Sequence, residues 1–256
     1  MLRVVSLGLG VASLAFAGLA LAPAAFADCK SGQPLREVTL AAGQNVGEAW
    51  EGFAAPPLRD HEVVLTFDDG PNPETTSRIL DLLKANCLAA TFFPVGLNAR
   101  DHPDFIRREI AEGHVVGSHT NDHANLSELT QSRAIDDIKV GMAAVTAAGG
   151  KPTLFRFPQL ASTPPLLDWL RGQGIAAVGV NIDPTDWQGG PPDETLKKIE
   201  DGLRQKGGGI ILMHDVQPNT VKLLPALIEF LNREGYRVVR LSGPAKNPSL
   251  RGRLAG

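Results

Sequence analysis

Asp68 and Asp69 stand side by side at the end of a run, 63–67, rich in β-branched and aromatic side chains, and Gly70-Pro71 follows. The run reads as a short buried strand and Asp-Gly-Pro as the turn that ends it. Carboxylates on successive residues need not face the same neighbours, so one could bind a cation while the other handles protons. Alone, the pair reads equally well as an ordinary turn. A second group follows Val115-Val116-Gly117-Ser118, where His119 and His123 lie four apart. On a helical turn that spacing puts both rings on one face, as metal-binding histidine pairs require. With Asp69 as third donor, two neutral nitrogens and one carboxylate leave positions open for water and substrate. That set suits zinc, and it also admits cobalt, manganese or nickel.

Other polar residues sit just after apolar runs. His214 follows 209–213 and is itself followed by Asp215; alone it reads as a satisfied residue at a helix start. Asp183 and Asp186 follow 176–181, with Trp187 next. Asp183 precedes Pro184 and reads as a turn residue, which leaves Asp186 to orient an imidazole. Arg156 lies between Phe155 and Phe157, ahead of Pro158, where a structural ion pair is the plain alternative. In a parallel α/β architecture, groups at the carboxyl ends of different strands converge on one face.

The elements that must position these groups alternate along the chain. Strands are expected at 63–67, 90–95, 115–118, 153–157, 176–181, 209–213 and 237–241. Between them, 75–86 places Ile79, Leu82 and Leu83 on one helical face, 103–112 does so with Phe105, Ile106 and Ile110, and 132–148 with Ile135, Ile138, Met142 and Val145. Pro164-Pro165 opens another helix, and 195–204 and 221–233 supply the last two. About seven βα units with continuously apolar strands argue for parallel strands covered by outer helices. The count suits a TIM-like (β/α)7 barrel, one unit short of the eight-fold form, with an open doubly wound sheet as the runner-up.

The chain has 256 residues, 43% hydrophobic and 21% charged, with a net charge of -3. That describes a globular chain with a full-sized core and no overall basic surface, so no nucleic-acid partner is expected. Residues 1–27 carry Arg3, an apolar stretch over 4–21 and Ala25-Phe26-Ala27. They read as a cleaved secretory signal rather than a retained anchor, and the mature protein is expected to start near Asp28. The expectation is an exported protein, periplasmic or secreted, with no stable membrane anchor after cleavage. Residues 28–60 read as a lead-in packed on a single domain over 61–243, and 244–256 as a loose tail. The only two cysteines, Cys29 and Cys87, lack metal or redox spacing; whether they pair stays open. Nothing in the pattern indicates an oligomer.

Taken in order, Thr66-Phe67-Asp68-Asp69-Gly70-Pro71, His119-Thr120-x-x-His123, Arg156-x-Pro158, Asp183-x-x-Asp186-Trp187 and Leu212-x-His214 resemble the five motifs of the polysaccharide deacetylase family. This is the nodulation-factor deacetylase homology domain, carbohydrate esterase family four. The resemblance spans roughly 63–241 and implies a distorted seven-stranded βα barrel. It also implies a metal-dependent hydrolase that removes N-acetyl groups from a GlcNAc-containing glycan, chitin-like, peptidoglycan or exopolysaccharide. In that reading Asp69, His119 and His123 hold the metal, and Asp68 takes a proton from water with Arg156 paired to it to keep it ionised. His214 protonates the departing amine with support from Asp186. Trp187 and Leu212 line the acetyl pocket, Pro158 belongs to the substrate site, and a backbone N–H after Asp69 is a candidate oxyanion donor. An O-acetyl esterase acting on a glycan such as xylan, or an inactive glycan-binding protein, are the alternatives. One motif departs from the family: after Pro158 an aromatic and a glycine are usual, whereas Gln159 and Leu160 follow here.

Overall fold

The computed structural model describes residues 36–48 and 52–244. The expected signal peptide, Cys29 and nearly all of the C-terminal tail lie outside the described residues.

Strand β3 (Glu62–Asp68) is buried along its whole length and organises the rest. It pairs in parallel with β4 (Thr91–Phe93) and β8 (Gly209–His214), and β5 (Val115–Val116) adds to β4. A second parallel sheet runs β2 (Asn45–Val46), β7 (Ala176–Val178), β6 (Leu154–Phe155). Single parallel bridges, Ser118 to Phe155 and Ile182 to Ile211, join the sheets into a ring. The architecture is therefore a distorted TIM-like (β/α)7 barrel, not an open sheet. The seventh expected strand, 237–241, is split at Val239. Its first part, β9 (Arg237–Val238), pairs with the start of β3, and its second, β10 (Arg240–Ser242), pairs with the N-terminal β1 (Glu37–Thr39).

Side chains alternate across a strand, and that alternation places the polar groups. On β3, Val63, Leu65 and Phe67 pack outward with helix residues such as Ile79, Leu224 and Phe230, whereas Val64 belongs to the inner cluster with Phe93, Leu154 and Ile210. Thr66 and Asp68 share the parity of Val64. On β8, Ile211 and Met213 join the outer cluster and Ile210 the inner one, which assigns Leu212 and His214 to the interior. On β6, Leu154 is inner and Phe155 outer, so Arg156 just beyond the strand is inner as well.

The outer helices are α1 (Thr75–Ala85), α2 (Gly96–Asp101), α3 (Pro103–Ala111), α4 (Gln131–Ala147), α5 (Pro164–Gly172), α6 (Pro192–Lys206) and α7 (Pro218–Arg233). Proline in the first turn, which lacks only an N–H that would be unpaired there anyway, opens α3, α5, α6 and α7. It also explains why α6 and α7 begin three residues before the expected 195 and 221. The short α2, which buries only Gly96 and Ala99, has too few apolar positions to show a period and was not expected. On α3 the buried face carries Ile106 and Glu109, while Ile110, expected inside, is 39% exposed. Among the described residues no helix is long and apolar enough to cross a membrane.

Candidate metal and catalytic site

Asp69 follows β3 directly and has φ 75, a left-handed conformation that turns its carboxylate away from the strand's own alternation. Oδ1 of Asp69 lies 3.5 Å from His119 Nε2 and 3.4 Å from His123 Nε2. Two donors each about 2.1 Å from a tetrahedral ion stand about 3.4 Å apart, so the spacing fits a divalent cation of zinc size. The residue types fit too, because Oδ1 of Asp69 is buried and has no hydrogen-bond partner. The Nδ1–H of His119 donates to the Arg156 carbonyl at 2.8 Å, which leaves its Nε2 lone pair for a metal. Burial lowers the pKa of His119 to about 3 against the attraction of Asp69, so the ring is neutral, as ligation requires. Asp69, His119 and His123 are the one group of three among the described residues that could hold a metal ion.

The two rings do not meet on a helix. Residues 119–125 form a loop in which Thr120 has φ 66 and His123 φ 64, and this turning brings the ring centroids to 5.0 Å. The Thr120 hydroxyl accepts from the His123 N–H at 3.1 Å and closes the loop. Among the described residues, six of the eight non-glycine residues with positive φ lie in the loops that carry the expected site: Asp69, Thr120, His123, Gln159, Leu160 and Thr185. Each such residue costs about 1 kcal/mol or more and persists where its surroundings over-determine it.

Asp68 points inward to Arg156, which has no exposed surface. Nη1 of Arg156 donates to Asp68 Oδ1 at 2.8 Å and to Thr66 Oγ1 at 2.7 Å, Nε to the Val178 carbonyl at 3.1 Å, and Nη2 to the Gly179 carbonyl at 3.0 Å. The guanidinium carbon also lies 4.4 Å from the centre of the Phe93 ring. Asp68 Oδ2 is 3.8 Å from His119 Nε2, so the second oxygen faces the metal cluster. Burial pushes the Asp68 carboxyl above its ordinary value even though Arg156, His214 and His123 all pull it down. Arg156 acts in the expected direction, but desolvation outweighs it.

His214 is the last residue of β8 and stands opposite Asp68 in the strand register. It ends a strand rather than starting a helix. Its Nδ1 is 2.7 Å from Asp186 Oδ1, its backbone N–H donates to Asp186 Oδ2 at 2.8 Å, and Thr220 Oγ1 donates to that same oxygen at 2.6 Å. Burial opposes the charged imidazole, yet the hydrogen bond and charge of Asp186, with the charges of Asp68 and Asp69, raise its pKa to about 9. A protonated donor thus stands across the paired strands from a carboxylate. Asp183 accepts from the Thr185 N–H at 2.8 Å and is the turn residue expected.

Pro158 is buried, Leu212 is buried on the inner face of β8, and Trp187 is 53% exposed in the 3₁₀ turn Asp186–Gln188. Two surface cavities are lined by neither these three nor the metal cluster. One, about 550 Å³, is lined by residues such as Asn121, Asp122 and Asp137; the other, about 640 Å³, by residues such as Gln159, Leu160 and Arg171. Gln159 and Leu160 keep a left-handed turn, with φ 53 and φ 57, where the family has glycine at the second position. The first residues after Asp69, where the oxyanion donor is expected, turn toward protein groups. The Gly70 N–H faces the Asp215 carboxylate, Pro71 has no N–H, and that of Asn72 donates to Thr76 Oγ1 at 2.8 Å. Sequence reasoning also missed Thr220 and Asp215; only the place of Asp215 beside His214 could have drawn attention to it.

Residues 55–178 match the family model described as polysaccharide deacetylase. The chain is 34% identical over 192 residues to a chitooligosaccharide deacetylase of Bradyrhizobium sp. (strain ANU 289), covering 69% of this chain and 87% of that one. It is 37% identical over 190 residues to a chitin deacetylase of Colletotrichum lindemuthianum, covering 69% and 76%. A peptidoglycan deacetylase of Bdellovibrio bacteriovorus has a similar structure, with a TM-score of 0.75 and 29% identity, over 86% of this chain and 62% of that one. With the motif residues gathered at one end of the barrel and relatives of this likeness, the chain belongs to the polysaccharide deacetylase family of hydrolases, carbohydrate esterase family four.

Proposed function

We propose that this protein is an exported, zinc-type metal-dependent hydrolase that removes N-acetyl groups from a GlcNAc-containing glycan. The observation that carries the reading is the Asp69, His119, His123 cluster flanked by Asp68 on one strand and His214 opposite it on the next. The names of the relatives, deacetylases of chitooligosaccharide, chitin and peptidoglycan, support the amide and the sugar.

Asp69, His119 and His123 hold the ion, which when bound polarises the amide carbonyl and acidifies a water. Asp68 accepts the proton of the attacking water at Oδ2, the oxygen that Arg156 leaves uncovered. A carboxylate raised above its ordinary range is a stronger base at neutral pH than an unperturbed one. His214, charged and held by Asp186, delivers a proton from Nε2 to the departing nitrogen, which an amide needs because an amine anion is a poor leaving group. Leu212 and Trp187 border the acetyl methyl, and Pro158 shapes the wall beside Arg156.

The test is acetate release by the purified mature protein from chitooligosaccharides and peptidoglycan fragments, with acetylated xylan alongside, before and after chelation. The expected result is acetate from the amide substrates, loss on chelation and recovery on adding zinc. Release from xylan alone would make the protein an ester hydrolase. Glycan binding with no acetate from any substrate would make it a binding protein.

A further inference from the structure

The carboxylate of Asp215 is 1% exposed and lies one residue beyond His214. It fills the space beside Gly70 so closely that a Cβ on Gly70 would stand 2.0 Å from Oδ2. Thr76 Oγ1 donates to Oδ2 at 2.5 Å, and the backbone N–H of Asp215 donates to the Asp68 carbonyl at 3.3 Å. Thr76 in turn takes the Asn72 N–H on its hydroxyl and donates its own N–H to the Asn72 carbonyl at 2.9 Å. The turn between β3 and α1 is thus held at both ends through one buried acid. Among the described residues no lysine or arginine forms an ion pair with Asp215. A buried carboxyl without a cation is a costly placement that a plain packing role does not require.

We propose that Asp215 is a positioning residue for the metal site. By seating Gly70 it holds Asp69 in its left-handed conformation, with Oδ1 aimed at His119 and His123. The proposal rests on the reading of those three residues as metal ligands. It explains why residue 70 is glycine although its own φ is not left-handed: the space a side chain would need is taken by the acid.

The test uses the full mature chain with Asp215→Ala, Asp215→Asn and Thr76→Val. Zinc affinity is measured by competition with a chromogenic chelator, and the ligand field by visible absorption of the cobalt-loaded protein. Asp215→Ala is expected to weaken zinc binding about 10-fold or more, the range for removing the support of a metal ligand, and to shift the cobalt bands. Its kcat should fall while KM stays near that of the parent. Asp215→Asn, which keeps one oxygen acceptor, should restore part of the affinity, and Thr76→Val should weaken it less than Asp215→Ala. A folded Asp215→Ala protein with unchanged zinc affinity and cobalt spectrum would overturn the proposal. Should that variant not fold, unchanged affinity in Thr76→Val overturns it instead. A parent protein that binds zinc yet releases no acetate would sink the proposed deacetylase activity and leave this inference to stand on the affinities.

Discussion

Asp186 grips His214 twice, through the ring at 2.7 Å and through the backbone N–H at 2.8 Å, so one carboxylate sets both the charge and the place of the imidazole. A folded value of about 9 lies above the ordinary 6.5, so the charged ring contributes stability that is full below about pH 6.5 and is lost as pH rises through 9. In Asp186→Asn the imidazolium loses its main support. The alkaline limb of the kcat/KM profile should move down by roughly 1–2 pH units, and the fall in melting temperature between pH 6.5 and 9 should flatten. Superimposable profiles for parent and variant would remove His214 from the role of acid.

The two histidine ligands differ in what else they hold. The His119 side chain is 2% exposed and tied to the Arg156 carbonyl, whereas that of His123 is 37% exposed. Both His119→Ala and His123→Ala should lose tight zinc binding, read by equilibrium dialysis. Only His119→Ala should also lower the urea midpoint of the metal-free protein, because it leaves a hole and an unpaired carbonyl, at a cost of about 2–3 kcal/mol. Equal midpoints in the two metal-free variants would contradict the burial difference on which this rests.

Much of this site was legible because its polar residues stand at the ends of apolar runs, which a parallel α/β fold gathers on one face. Which of them turn inward follows from strand alternation in the structure, which sends Thr66, Asp68, Arg156, Leu212 and His214 to the interior. The spacing of His119 and His123 drew attention to two rings that the fold does bring together, but by another geometry, since a loop with two left-handed residues replaces the helical turn. Glu109 in place of Ile110 on the buried face of α3 shows packing overriding hydrophobic period. Asp215 with Thr76, 139 residues apart, and Thr220 with Asp186, 34 apart, meet only because the ring closes, and no local pattern marks them.

Arg156 also bears on stability. Its guanidinium neutralises Asp68 and satisfies two carbonyls of the 178–179 segment, all out of water. Arg156→Met would leave the acid and both carbonyls unpaired, for an expected loss of about 3–5 kcal/mol in urea unfolding. Arg156→Lys should recover little, since an ammonium cannot reach acceptors on three sides as the planar fork does. Adding Asp68→Asn to Arg156→Met should restore part of the loss, and the double-mutant cycle measures the coupling. Additive losses would mean that the pair does not act as a unit.

Leu160 offers a test of backbone strain independent of chemistry. With φ 57 it holds a conformation that favours glycine, and its side chain is only half buried beside the cavity near Arg171. Leu160→Ala and Leu160→Gly both delete the isobutyl group, so their difference isolates the backbone. Left-handed geometry costs a non-glycine residue about 1–2 kcal/mol, and the extra freedom of glycine in the unfolded chain offsets about 0.5–1 kcal/mol of that. Leu160→Gly should therefore unfold at higher urea than Leu160→Ala, by up to about 1.5 kcal/mol. The reverse order would mean that the turn after Pro158 does not keep the left-handed form at residue 160, and that the departure from the family motif has changed the backbone there as well as the side chain.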